Sequence, residues 1–358
     1  MMSASPSRAD QLLVIGSYTE PYGPFRAVGE GVSLMCLSPD GTISLLDRLA
    51  LPNPSYLRPA GLQRLYATLE TNDERAGIAT IALDEKRRLR LEHISASPGA
   101  IPCHLDMHPG GRWLACACYG SGHVFTRPIT SEGSLTDGGM AIRREGHSVN
   151  PERQNTAHPH AVRFSPDGNW LVVPDLGTDE IVSYPFDATS GTISEAQARR
   201  WIAPPGSGPR LVLFSRDGRH LLAVKEIASE ISSLAWDAGS LTEVCSASGL
   251  IGAFSGSNTT AGLRWHPDRR TFAVSNRGAD TIAMFRFDAD DGSIVPLGAV
   301  PSGGAKPRDF EFTPCGRWLI AANQNGDSLV VYAVESDRLV DTGIHHPVLS
   351  PSCVRVLP

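Results

Sequence analysis

A chain of 358 residues with 41% hydrophobic and 20% charged residues can bury a large core and is not composed like a disordered segment. Its formal net charge of −6 disfavours nucleic acid or an anionic membrane as the main partner, and its 35 Gly and 27 Pro argue for many short elements separated by turns rather than for long helices. Length alone, at about 150 residues per domain, suggests two or three domains.

Met1 to Asp10 reads as a polar, flexible tail without the apolar stretch of a secretion signal, and 11–358 as the folded part. No later run approaches the roughly 20 apolar residues of a membrane span. LLVIGSYT at 12–19 and VSLMCLSPDGTISLLDRL at 32–49 are strands around an Asp-Gly turn. From there one phrase recurs: an apolar strand, a Pro-Asp-Gly-like turn and a second apolar strand. It is weak in RPAGLQRLYATLE at 58–70 and clear in LDMHPGGRWLACAC at 105–118, AVRFSPDGNWLVVPD at 161–175, LVLFSRDGRHLLAVKE at 211–226, LRWHPDRRTFAVSN at 263–276 and FEFTPCGRWLIAAN at 310–323. The first turn residues are Pro59, Pro109, Pro166, Arg216, Pro267 and Pro314, at intervals of 50, 57, 50, 51 and 47.

A third strand rich in β-branched and aromatic residues follows each of the later phrases, as in EIVSYPFD, EISSLAWD, TIAMFRFD and SLVVYAVE. A more polar fourth strand comes after it, as in GTISEAQA, GSLTEVCS and GSIVPLGA. Four antiparallel strands per fifty residues make one blade of a β-propeller. The fold expected is therefore all-β: a single seven-bladed propeller spanning 11–358, with six blades from the six turns. The seventh is shared between the ends, SCVRVLP innermost and LLVIGSYT beside it, so that both termini close the ring and hide the sheet edges. A β-sandwich is the competing all-β reading. A WD40 propeller fits less well, since its period is shorter, roughly 40–45 residues, and Trp-Asp occurs only at Trp236-Asp237.

In every blade the turn lies on one face of the disc, so the start of the first strand and the end of the second meet at the channel mouth on the other. Six residues before the turn lie His160, Arg210 and Arg308; ten after it lie Tyr119, Glu226, Arg277 and Gln324. His104 falls one residue out of this register. Converging Arg side chains without matching acid suit a bound carboxylate or phosphate. Glu226 beside Arg210 is either a structural ion pair or a base that activates water, with His160 as its partner or as proton donor, since an imidazole with a reference pKa near 6.5 serves either way. There is no HExxH, Walker loop or GxSxG elbow, and His158 and His160 have no Cys or carboxylate at zinc spacing, so a zinc site is not expected. His345-His346 is read as a solvent-facing loop. The segment 147–156, which accounts for the interval of 57, is either a rim or lid over the mouth or a disordered loop. Seven Cys without a CxxC pair point to a reducing, cytoplasmic setting.

Nearly the whole chain resembles the lactonase family of seven-bladed propellers, which includes propeller-type 6-phosphogluconolactonases and carboxy-cis,cis-muconate cyclases. The likeness is densest in HPHAVRFSPDGNWLVVPDLGTDEIVSY, GSGPRLVLFSRDGRHLLAVKE, AVSNRGADTIAMF and KPRDFEFTPCGRWLIAANQNGD. The resemblance implies catalytic roles for His160, Arg210, Glu226 and Arg277, and Arg308, Gln324, His104 and Tyr119 are expected to bind substrate. Many members carry His after Gly-Pro-Arg, where this chain has Leu211, a departure bearing on substrate preference. The implied activity is hydrolysis of a small anionic sugar lactone, 6-phospho-D-glucono-1,5-lactone being the best-known substrate, and the resemblance implies that no metal or organic cofactor is required. Alternatives are a lactonising isomerase and a non-catalytic propeller binding an anionic metabolite or protein. The expected assembly is a monomer or weak homo-oligomer, with neither nucleic acid nor membrane as partner.

Overall fold

The computed structural model of the chain describes residues 10–21 and 27–358; of the tail expected over 1–10, all but Asp10 lies outside them. Its strands form seven antiparallel sheets arranged in a ring. Numbered from the first complete sheet, blades 1 to 6 occupy 54–96, 102–143, 163–202, 209–248, 259–301 and 307–347. Blade 7 takes its innermost strand from Pro351–Val356 and its other three from Gln11–Ser17, Val32–Leu37 and Ile43–Leu49, as expected from the sequence. Leu13 pairs with Val356 and Ile15 with Val354 across that closure.

The repeated phrase folds as it does because its turn residues satisfy one another. In blade 4, Ser215 Oγ donates to Asp217 (2.6 Å) and accepts from the His220 amide (3.0 Å), while Gly218 takes a φ of 71° that a side chain would resist. The two strands so joined are apolar on both faces because each sheet is covered on both sides by its neighbours. The core accordingly lies between blades rather than within one: Leu13, Ile15 and Met35 of blade 7 pack on Trp318, Ile320 and Val331 of blade 6.

Two features depart from the regular expectation. The innermost strand of blade 3 is reduced to Arg163–Phe164, with only a bridge between Pro159 and Asp175 upstream, where proline has no amide to donate. His345 and His346 are not in a loop; they lie in the outer strand of blade 6, Arg338–Pro347, because the fourth strand runs on until the chain turns into the closing strand.

The innermost strands of blades 2, 4 and 6 carry a register break near the channel mouth opposite the turns, here called the upper mouth, between Pro102 and His104, Pro209 and Leu211, and Pro307 and Asp309. The residue passed over is Cys103, Arg210 or Arg308. A bulge of this kind re-aims one side chain, here into the channel. His160 takes the matching place in blade 3, its amide bonded to the Pro174 carbonyl (3.0 Å).

Candidate active site

At the mouth opposite the turns is a cavity of about 590 Å³. His160, Arg210, Arg308, Tyr119, Glu226, Arg277 and Gln324 all line it. His104 does not: it lies one level down, buried, with its ring 4.1 Å from that of Tyr56, and lines a narrow cavity of about 30 Å³ deeper in the channel. The bulge explains the difference, since the residue turned towards the mouth in blade 2 is Cys103. His104 is therefore not among the groups facing the upper cavity, contrary to the expectation that it contacts substrate there.

Glu226 is the hub. Its Oε1 accepts from Arg153 Nη2 (2.6 Å) and its Oε2 from Arg210 Nη1 (2.5 Å), while Arg277 Nη2 stands 3.0 Å from Oε2. Burial alone would push this carboxyl up, but Arg277, Arg210 and Arg153 together outweigh it and hold it well below the usual range. His160 Nε2 accepts a short hydrogen bond from Arg210 Nη1. Burial and that guanidinium hold its imidazole well below 6.5, so it is neutral at pH 7. Tyr119 meets the His160 ring edge to face at 5.3 Å and stacks on His158 at 4.4 Å.

Arg277 is the least satisfied of these groups. It is buried, and neither its Nε nor its Nη2 has a hydrogen-bond acceptor, because the approach of Glu226 to Nη2 is close but misaligned. Burial, aggravated by Arg210, Arg308 and Arg153, pushes its guanidinium down to about 10. A buried donor with no acceptor costs about 1–3 kcal/mol, a cost that a bound anion would remove.

Further groups of this wall escaped the sequence reading. Glu70 and Lys306 line the cavity with Cys103 and Arg153. Glu70 occupies in blade 1 the place of Tyr119 and Glu226, but Pro59 pairs with Leu65 as Met107 pairs with Leu114 and so stands two places ahead of the position Pro109 holds; the blade 1 turn, one residue shorter (Ala60 amide to Arg64 carbonyl, against His108 to Trp113), cancels only one of the two, and a count of ten from Pro59 lands on Leu69. Realigning on the turn hydrogen bond would have found it. Arg153 comes from the 147–156 insertion, which has no repeat to count from. That insertion is ordered by Gln154, whose Nε2 donates to the Leu176 carbonyl (2.9 Å), and by Ser148, whose Oγ donates to Asp179 (2.5 Å). The walls together present Arg153, Arg210, Arg277, Arg308 and Lys306 against Glu70, Glu152 and Glu226, a cationic surplus suited to an anion. Among the described residues no group of three or more His, Cys, Asp or Glu is arranged to hold a metal ion.

Residues 12–356 match the family described as "Lactonase, 7-bladed beta-propeller". A relative from Bacillus subtilis named 6-phosphogluconolactonase is 28% identical over 86% of this chain and 88% of its own. The solved structure of a periplasmic gluconolactonase from Pseudomonas aeruginosa superposes with a TM-score of 0.88 at 28% identity, covering 98% of this chain and 99% of that one. A protein of known structure from Lactobacillus plantarum gives the same TM-score and identity over 98% and 100%.

Proposed function

The chain belongs to the lactonase family of seven-bladed β-propellers, and from that premise we propose that it hydrolyses a small anionic sugar lactone, 6-phospho-D-glucono-1,5-lactone first among the candidates. The observation that carries this reading is Arg277, a buried guanidinium in the cavity wall with two nitrogens lacking an acceptor. Beside Arg210 it offers donors both to the substrate anion and to the oxyanion that forms when water attacks the lactone carbonyl.

Water attack requires a proton acceptor. Glu226 is a poor one, since three arginines hold it ionised and occupy its oxygens. Its role here is to gather those arginines against their mutual repulsion. His160 is neutral, and its Nε2 lone pair becomes free when Arg210 turns its donor to the substrate. A strained ester is already reactive, so a weak base suffices; acid–base assistance of this type contributes about 10²–10⁴-fold. Water donates its proton to Nε2 as its oxygen bonds to the carbonyl carbon, and the imidazolium returns the proton to the ring oxygen as the C–O bond breaks. No cofactor takes part in this scheme.

The test is a coupled assay with 6-phosphogluconate dehydrogenase below pH 7, where spontaneous opening is slow. Wild type is expected to exceed the spontaneous rate, and Arg277→Ala and Glu226→Gln to lose most of that excess. Turnover no faster than spontaneous sinks the reading, and ultraviolet loss of a muconate in its place would make the chain a lactonising isomerase. With His160 as base, kcat/KM stays flat through neutrality and falls only at a pH well below 6.5, the acid limb disappearing in His160→Asn. A cytoplasmic location forms part of the proposal. It is supported by seven free cysteines, five of them buried, and is to be checked by cell fractionation because one structural neighbour is periplasmic. Among the described residues no helix is long and apolar enough to cross a membrane.

A further inference from the structure

The channel has a second mouth, on the face of the turns, and it opens into a separate cavity of about 620 Å³. One level of the seven innermost strands decides its charge. Arg58, Asp106, Arg163, Leu213, Arg264, Glu311 and Arg355 occupy equivalent pairing positions around the ring. On one side Arg264 and Arg355 are matched by Asp309 and Glu311, at 2.6–3.6 Å. On the other side Arg58 and Arg163 share a single acid, Asp106, at 3.4 and 3.1 Å, and the Nε atoms of both are buried without a hydrogen-bond acceptor. Leu213, too short to fill the next place, leaves the space that becomes the cavity.

Two more arginines, Arg216 and Arg269, reach the same cavity from the turns of blades 4 and 5. Arg269 is an exposed residue, but partial enclosure of its guanidinium lowers it, and Arg163 and Arg216 add to the effect, so the three cations sit within each other's fields. The nearby acids do not compensate. Asp167 bonds Ser165 and Asn169 within its own turn, Asp217 bonds Ser215 and Arg219, Asp268 caps the Arg270 and Thr271 amides, and Glu311 is committed to Arg264 and Arg355. The same cavity is also lined by the aromatic rings of Phe164, Phe214 and Trp265.

We propose that this lower cavity is a second ligand site, which binds a phosphomonoester whose phosphate is held by Arg58, Arg163, Arg216 and Arg269 and whose flat organic body lies on Phe214 and Trp265. Four guanidinium forks around one acid supply the bidentate donors a phosphate dianion takes, and the aromatic wall distinguishes an organic ester from free phosphate. The site is separate from the upper cavity, and its occupancy does not depend on the activity proposed above.

The test is calorimetric titration of the full chain at low salt with AMP, and in a parallel arm with inorganic phosphate. Arg277→Gln removes a donor from the upper mouth and is expected to leave AMP binding unchanged. Arg216→Gln/Arg269→Gln, substitutions at exposed turn positions, is expected to weaken it at least about tenfold without moving the thermal unfolding midpoint. Absence of AMP binding in both wild type and Arg277→Gln overturns the site. So does binding that Arg277→Gln abolishes, or that the double variant leaves intact. Inorganic phosphate binding as tightly as AMP overturns the role of the aromatic wall.

Discussion

Arg277 and Glu226 face each other at 3.0 Å, yet the geometry leaves the guanidinium short of acceptors. A charge so placed stabilises an anion more by the fork of its donors than by its sign. Arg277→Lys, which keeps the charge and removes the fork, is therefore expected to lower kcat/KM by about 10–100-fold, equivalent to one charge-assisted hydrogen bond, with the loss mainly in kcat if the fork serves the oxyanion. Steady-state kinetics on a hydrolysable lactone measure it, and a variant as active as wild type removes the fork from the mechanism. Single residues of this kind were legible in the sequence because each stands at a fixed count from a turn. Cys103 and His104 show how fine that count must be, since one bulged residue decides which side chain of blade 2 faces the mouth.

Among the elements, the segment 147–156 does what no repeat predicts. It brings Arg153 to Glu226, and its seat is narrow: a Cβ on Gly177 would stand 1.9 Å from the Thr156 carbonyl oxygen and 2.7 Å from the His158 amide. Gly177→Ala must displace that backbone. The expected outcome is a folded propeller with faster proteolysis within 147–156 and a reduced kcat/KM, read by limited digestion and the lactone assay; an unchanged digestion pattern would separate the segment from the site. The strands themselves were legible because Asp-Gly turns and apolar runs repeat. The insertion and the broken innermost strand of blade 3 were not, since irregular backbone held by scattered hydrogen bonds leaves no period. Glu70 was hidden because Pro59 stands two places ahead of the position Pro109 holds in blade 2, an offset that the shorter blade 1 turn only half cancels.

Taken whole, the molecule buries ionisable groups along its axis, and their titration couples to folding. His160 and His104 are both held well below 6.5, chiefly by burial, and Glu226 is held well below 4.5 by its arginines. As pH falls below about 6.5 the unfolded chain takes up protons that the two folded imidazoles refuse, and below about 4.5 the same holds for Glu226. In both ranges the unfolded state binds more protons, so stability falls as pH falls. Unfolding midpoints are expected to decline from pH 7 to 5 and again below 4.5, and the first decline is expected to be shallower in His160→Asn. A midpoint flat from 7 to 5 would mean that these imidazoles titrate normally.

The closure of blade 7 sets an order in time. Ser352 Oγ donates to the Gly16 carbonyl across 336 residues of chain, and Leu13 waits for Val356 as its pairing partner. During synthesis the strand Gln11–Ser17 emerges early and keeps one edge unpaired until nearly everything else has left the ribosome. The nascent chain must shield that edge throughout translation, and a ribosome that stalls before the final strand releases six complete sheets and a three-stranded seventh whose Gln11–Ser17 edge is open. Such a product can join another of its kind edge to edge.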